Sequence, residues 1–452
     1  MFFESSNYCT NQSVKMMGPR YKQMCFLTAI ACIIAFSCKP AEGRLPFPDI
    51  CPESCTCDII LLQTNCSYAN LPILPPLNNN TMVLLFDGNL LNVVESKQFR
   101  QLSDLRYLSM AHNQMDEIQE DFFKSQSFLI HLDLSRNKFG EVPIALKHLR
   151  ILRELLLQGN QIRTLSKEPW NYLTRLTILK LDTNSIPNLP MVMTSNLGKL
   201  TNFSIANNEI SSIPSGQFAN TTNLIHLDLH NNSIFTKTDN DVLDSFAEVS
   251  VYLPTAATEE EYRMDDTAEG MVVGSFQGLI NLIVLNLAEN AITKLENGIF
   301  ADLSNLEILN LDWNGMKVIE EDVFRIQHKL QILTISNNKL SHLPQRLFED
   351  LRQLRVLKLD SNHISDITPL TNIHMFHLQS LYLNDNSIKT VDSRGFKEYT
   401  SIEEIYMMNN KLKHVPEVRG LANLNTLDLS DNNIKLIEPI NAFEGTDLQF
   451  CY

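Results

Sequence analysis

The chain has no nucleophile elbow, no glycine-rich phosphate loop and no HExxH pair. The local signatures of serine hydrolases, nucleotide enzymes and zinc peptidases are therefore missing. No cofactor is implied, and the chain is expected not to be an enzyme. Basic residues are in deficit: 37 Lys and Arg against 52 Asp and Glu leave a formal net charge of −15. That balance speaks against general affinity for nucleic acid or anionic membranes and favours a basic protein ligand. Long apolar runs are lacking too. The main one, residues 24–37 (MCFLTAIACIIAFS), falls short of the roughly 20 apolar residues that a spanning helix needs. Lys15, Arg20 and Lys22 precede it, so residues 1–44 read as a secretory signal peptide with an N-terminal extension. Initiation at Met16 or Met17 would give a more typical leader, and an uncleaved signal anchor is the competing reading. The chain as given is expected to be secreted, with membrane attachment only if a span follows Tyr452.

What the chain has in abundance is a period. Asn89, Asn113, Asn137, Asn160, Asn184, Asn208, Asn232, Asn290, Asn314, Asn338, Asn362, Asn386, Asn410 and Asn432 are spaced by 24 residues, with single steps of 23, 58 and 22. Each sits in the frame L-x-x-L-x-L-x-x-N-x-I/L, as in Leu306-Glu307-Ile308-Leu309-Asn310-Leu311-Asp312-Trp313-Asn314-Gly315-Met316. A fixed period of this length with this internal pattern is the signature of leucine-rich repeats. The expected fold is an α/β repeat solenoid, a horseshoe with a parallel β-sheet on its concave face and short helical or irregular turns on its convex face. Frame positions 3–7 should form the strand, with leucines 4 and 6 inward and residues 3, 5 and 7 outward. The framework asparagine should turn the chain out of the strand and satisfy neighbouring backbone groups. Phe218, Phe300, Phe324 and Phe348, near position 19, should fill the convex side.

The period also marks segments. Residues 45–80 form a cysteine-rich N-terminal cap in which Cys51, Cys55, Cys57 and Cys66 follow C-x3-C-x-C-x8-C. After a signal peptide these imply disulfides; zinc is the competing reading, without a matching histidine. Four cysteines allow three pairings. Residues 81–234 hold repeats 1–7 and 274–447 hold repeats 8–14. Between them, 235–273 reads as an acidic insert, with Asp239, Asp241, Asp244, Glu248, Glu259, Glu260, Glu261, Asp265, Asp266 and Glu269 against Lys237 and Arg263. A degenerate extra repeat using Phe246, Val249 and Val251 is the alternative, although Pro254 takes its asparagine slot. Residues 448–452 read as the truncated start of repeat 15, with Cys451 at a strand position. The expectation is a fragment or truncated product; otherwise Cys451 pairs with a partner chain.

The cap Cys51-Pro52-Glu53-Ser54-Cys55-Thr56-Cys57…Cys66, followed by uniform repeats, resembles the secreted extracellular leucine-rich-repeat proteins. The matrix members related to chondroadherin and the small leucine-rich proteoglycans look nearest. The resemblance covers about residues 51–452 apart from the insert. It implies the pairing of Cys51 with Cys57 and of Cys55 with Cys66. It also implies binding of collagens, growth factors or receptors through the concave face. The chain departs from that group in its larger number of repeats, its insert and the lack of a visible C-terminal cap. The ectodomain of a Toll-like or other cell-surface receptor is the alternative, and a non-binding structural spacer the third reading.

On the expected concave face, Asp87, Asp133, Glu154, Asp182, Asp228, Glu289, Asp312, Asp360, Asp385, Glu404, Asp428 and Asp431 face only Arg136, Lys180 and Lys358. Such a surface attracts a basic ligand and speeds its encounter; the plainer account is that aspartate at position 7 is a common solvated choice. Trp313, Tyr382 and Tyr406 lie outward where the core needs no aromatic, and Tyr and Trp dominate interface energetics. Together with Asp312, Lys358, Asp360, Asp385 and Glu404 they make repeats 9–13 the candidate ligand patch. His226, Asp228 and His230 share a strand face, but the two histidines are roughly 13 Å apart, too far for one metal. His131 is about 19 Å away, so polar surface histidines are expected and no metal site. Asn79, Asn202, Asn220 and Asn231 stand in N-glycosylation sequons, whereas the sequon at Asn65 contains Cys66. Tyr262, among acidic neighbours, is a candidate for sulfation, with an unmodified acidic loop as the alternative.

Overall fold

The structure, a computed structural model, describes residues 51–451 apart from 167, 237–269, 372, 393–394 and 436–440. The leader, Tyr262 and nearly all of the acidic insert, with the extra repeat weighed there, lie outside the described residues.

The chain opens on an antiparallel pair, Thr56–Asp58 against Gln63–Asn65. Cys51 is bonded to Cys57 and Cys55 to Cys66, the pairing that the resemblance implies. Gln63–Asn65 then pairs in parallel with Val83–Leu85, and every later pairing in this sheet is parallel and follows chain order to Phe450–Cys451. The sheet so formed has 17 strands among the described residues. Its register repeats the sequence period: Tyr107 lies opposite His131, Ile308 opposite Ile332 and Tyr382 opposite Tyr406.

The central residue of each repeat strand, from Leu84 to Leu427, is buried, while its flanking residues are mostly half-buried. This is the expected alternation, and each buried leucine contributes about 1.5–3 kcal/mol of transfer free energy. The regular strand covers positions 3–5 rather than the expected 3–7. Positions 6 and 8 still bond to the next repeat, as in Leu311 N–H to Thr334 O at 2.8 Å and Trp313 N–H to Ser336 O at 2.9 Å. In most repeats the position-7 N–H turns instead to a side chain, which ends the regular ladder.

Each framework asparagine ties two repeats together. The Asn362 amide donates to Ile335 O of the previous repeat at 2.9 Å and to Leu359 O of its own at 3.2 Å. Its Oδ1 accepts from Leu340 N–H at 3.0 Å. Asn89 to Asn432 repeat the pattern, so carbonyls and N–H groups that the tight turn strands are satisfied inside the core. The residue before each asparagine has positive φ, from Gly88 and His112 to Trp313 and Asp431.

On the convex side short helices, Ser96–Phe99, Met191–Asn196 and Thr368–Thr371, alternate with turns. Phe276, Phe300 and Phe324 stack at ring separations of 5.9 and 6.1 Å, and Phe218 and Phe348 are buried in the same column.

His226–Asp228 pairs directly with Val284–Asn286, in register across the 58-residue step. The two sides of the acidic segment meet at Thr236 and Gly270, which form an antiparallel bridge, while Ile213 bridges Met271.

Candidate functional site: the concave face of repeats 9 to 13

Register places the position-5 residues of successive strands side by side, in the order Asn310, Thr334, Lys358, Tyr382, Tyr406 and Asp428. Tyr382 and Tyr406 stack with ring centroids 4.8 Å apart and planes 12° apart. The Lys358 ammonium sits 4.9 Å from the Tyr382 centroid, a cation over a π face. Glu404, one position-3 strand site along, accepts from Ser380 Oγ at 3.1 Å and from Tyr382 Oη at 3.3 Å. Burial, and then the Glu404 charge, push the Tyr382 hydroxyl above its ordinary value. Four of the expected patch residues thus form one contiguous unit of cation, two rings and carboxylate, all half-buried on the sheet face.

Trp313 does not join it. Its side chain is 62% exposed, but position 8 is a turn site with φ of 55°, where a non-glycine side chain costs about 1–2 kcal/mol. Three strand spacings, about 14 Å, separate its repeat from that of Tyr382. Asp385 occupies the same left-handed position and accepts from Asn409 Nδ2 at 2.7 Å.

The aspartates need a correction: those at positions 5 and 7 are not simply solvated. Asp312 Oδ1 accepts from Ser336 N–H at 2.6 Å and Asp360 Oδ1 from Asn384 N–H at 3.0 Å, in each case one repeat on. Asp87 and Asp182 bind Ala111 and Ala206 N–H in the same way. Asp133, Asp228 and Asp428, at position 5, hold the position-7 N–H of their own repeat. Burial pushes the carboxyls of Asp87, Asp312 and Asp360 upward, against the pull of these bonds. They keep the face acidic, but their geometry is that of backbone caps.

His131 also departs from expectation. It is buried, stacked on Tyr107 at 4.0 Å, with Nδ1 2.7 Å from Glu154. Tyr107, His131 and Glu154 are position-3 neighbours, so aligning the repeats in columns would have revealed the stack. His226 is exposed and His230 half-buried, in contact with Asp228. Among the described residues no group of three or more His, Cys, Asp or Glu is placed to hold a metal, and no helix is long and apolar enough to cross a membrane.

The sequon asparagines Asn79, Asn220 and Asn231 are exposed, and Asn202 is half-buried on its concave strand. Asn65 lies in a strand beside the bonded Cys66.

A leucine-rich-repeat family profile matches residues 112–162, 174–234, 269–316, 314–364, 352–412 and 376–434, which is more than half of the chain. Toll-like receptor 2 type-2 of Gallus gallus is 31% identical over 148 residues, 32% of this chain and 19% of that protein. Keratocan of Danio rerio is 24% identical over 153 residues, 32% of this chain and 42% of its own length. Mimecan of Homo sapiens is 24% identical over 157 residues, covering 33% and 52%. The chain therefore spans about a fifth of the receptor and about half of the matched proteoglycan-type relatives. Among solved structures, a Leptospira interrogans leucine-rich-repeat protein superposes with a TM-score of 0.65 at 23% identity, over 82% of this chain and 90% of that one. The glycosylated Drosophila Toll–Spatzle complex gives a TM-score of 0.67 at 20% identity, over 85% and 51%. These likenesses concern the fold, and with the profile match and the asparagine ladder they identify the chain as a member of the leucine-rich-repeat family.

Proposed function

We propose that the chain is an extracellular binder of basic protein ligands, a matrix protein, growth factor or receptor, acting through the concave face of repeats 9 to 13. The observation that carries this reading is the Lys358, Tyr382, Tyr406 and Glu404 unit. The core positions of those strands are already filled by Leu357, Leu381 and Ile405, so the stacked tyrosines are not required for packing. Two partly exposed rings beside carboxylates suit a cationic, partly apolar protein surface. Asp312, Asp360 and Asp385 extend the acidic field beyond that centre and act mainly on encounter rate, while the exposed Trp313 adds an aromatic contact at its margin. In this reading Asn79, Asn202, Asn220 and Asn231 carry N-glycans and Tyr262 is sulfated, which mass spectrometry of the secreted protein checks.

The test is a binding panel of collagens and basic growth factors against the secreted chain and its Tyr382→Ala and Tyr406→Ala variants. Salt-sensitive binding that weakens at least about tenfold in the variants supports the reading. Binding indifferent to both substitutions overturns it. No binding across the panel favours the spacer.

A receptor ectodomain is the second reading, compatible with the 31% identity to a Toll-like receptor over 32% of this chain. Sequencing the transcript beyond Tyr452 separates the two. A cysteine cap and a stop codon fit the matrix protein, and a cap followed by about 20 apolar residues fits the receptor.

A further inference from the structure

On the rim where the strands of repeats 4 to 8 begin, the surface reverses sign. A groove of about 690 Å³ there is lined by Arg153, Arg175, Lys199, Thr177, Asn223 and Ile225, among others, with no carboxylate in its wall. Arg153, Arg175 and Lys199 are exposed, and none of them forms an ion pair among the described residues. Elsewhere on the solenoid, cations such as Arg346, Arg419 and Lys294 bind carboxylates. Arg150 extends the run at the same edge, its guanidinium 5.4 Å above the Tyr172 ring.

We infer that this basic rim groove is a binding site for a sulfated polysaccharide. The cations stand on three successive repeats, so they follow the solenoid axis at about one per 4.8 Å strand spacing and match an elongated polyanion crossing the strands. The remaining wall adds hydrogen-bond acceptors to these cations. Thr177 Oγ1 gives its proton to Arg153 O, and Thr201 Oγ1 shares its proton between Thr177 O and Asn202 Oδ1, leaving oxygen lone pairs for a ligand. Asn223 donates one Nδ2 proton to Gly198 O, which leaves its Oδ1 to accept and its second N–H to donate. A polymer that carries both anionic sulfates and hydroxyl donors meets both demands. An acidic peptide fits less well. The rim backbone N–H groups of Thr177, Thr201 and Ile225 already bond to the carbonyls of Arg153, Thr177 and Thr201 in the preceding repeats, so these groups are not open for strand addition.

The test is retention of the secreted full-length chain on immobilised heparin near physiological salt, with desulfated heparin and poly-glutamate as competitors. Retention should be competed by soluble heparin alone and weaken steeply with salt. The triple variant Arg153→Glu, Arg175→Glu, Lys199→Glu should lose at least about tenfold in affinity. The same charge change at Lys317, Lys339 and Lys389, exposed but remote from the groove, should leave retention near the unmodified level. A milder triple change to Gln and a melting curve for every variant separate lost contacts from lost folding. Asn202 adjoins Thr201, and a glycan there would crowd the groove, so the Asn202→Gln chain is run in parallel. Retention by neither chain overturns the proposal. So does equal loss in both charge-reversal triples, or competition by poly-glutamate as strong as by heparin, which would point to an acidic peptide.

Discussion

Asp360 accepts the backbone N–H of Asn384 at 3.0 Å, and Asn384 in turn accepts the N–H of Met408 at 2.8 Å. A carboxylate and an amide thus do the same work in consecutive repeats, and only one of them carries a charge. Burial raises the Asp360 and Asp312 carboxyls above their ordinary range. A group raised on folding adds stability that is fully present below its unfolded pKa and is lost as pH rises through its folded one.

The double variant Asp312→Asn, Asp360→Asn is therefore expected to melt at or above the unmodified chain at pH 7. That advantage should shrink as pH falls towards about 4, the ordinary carboxyl value. Asp360→Ala removes the cap altogether and should cost about 1–3 kcal/mol. A denaturation series across pH reads both effects, and an Asn variant less stable than the Ala one would refute the capping role.

Asn362 makes four bonds to the turn and the previous repeat, at 2.9 to 3.2 Å. Asn362→Ala leaves those groups buried without partners, a loss of about 2–4 kcal/mol. In a solenoid each repeat leans only on its neighbours, so the damage should be local. Hydrogen exchange should accelerate at the Leu340 amide, which the Asn362 side chain binds, while Ile162, held by Asn184 far along the array, stays protected.

The tyrosine stack invites a double-mutant cycle. Tyr382 and Tyr406 should couple by about 0.5–1.5 kcal/mol in stability. Coupling near zero would mean that the rings are held apart in solution.

These contrasts explain what the sequence disclosed. The asparagine ladder was legible because one residue type performs one task in every repeat, and the buried column from Leu84 to Leu427 follows from the same frame. The left-handed site before each asparagine was hidden, because its occupants range from Gly88 and Gly159 to Arg136, Thr183 and Trp313. The aspartate caps escaped because their partners are backbone N–H groups, some of them a whole repeat away, as Ser336 is from Asp312. The burial of His131 arises from Tyr107 and Glu154 on adjacent strands, a contact across repeats that emerges only when the position-3 residues are aligned in a column. The tyrosine patch could be foreseen because its members are aromatic at outward positions; that Lys358 covers one ring required the register.

The acidic segment should be dispensable for folding. Asp228 pairs with Asn286 directly, and Asn290 binds Leu229 O at 3.1 Å and Ile234 N–H at 3.0 Å across the 58-residue step. Thr236 and Gly270 are bridge partners, so a short turn can join them once 237–269 is removed. Shortening a loop lowers its closure entropy only logarithmically, by about 0.6 kcal/mol per halving. The deletion should therefore leave the melting temperature unchanged or raise it by a few degrees at most. It also removes nine acidic residues between Asp241 and Glu269 together with Asp239, against Lys237 and Arg263, so any basic ligand drawn by the segment would associate more slowly at low salt. Calorimetry and stopped-flow association on the same protein separate the two effects. A large fall in melting temperature would mean that the segment packs on the solenoid and that the register across His226 and Val284 depends on it.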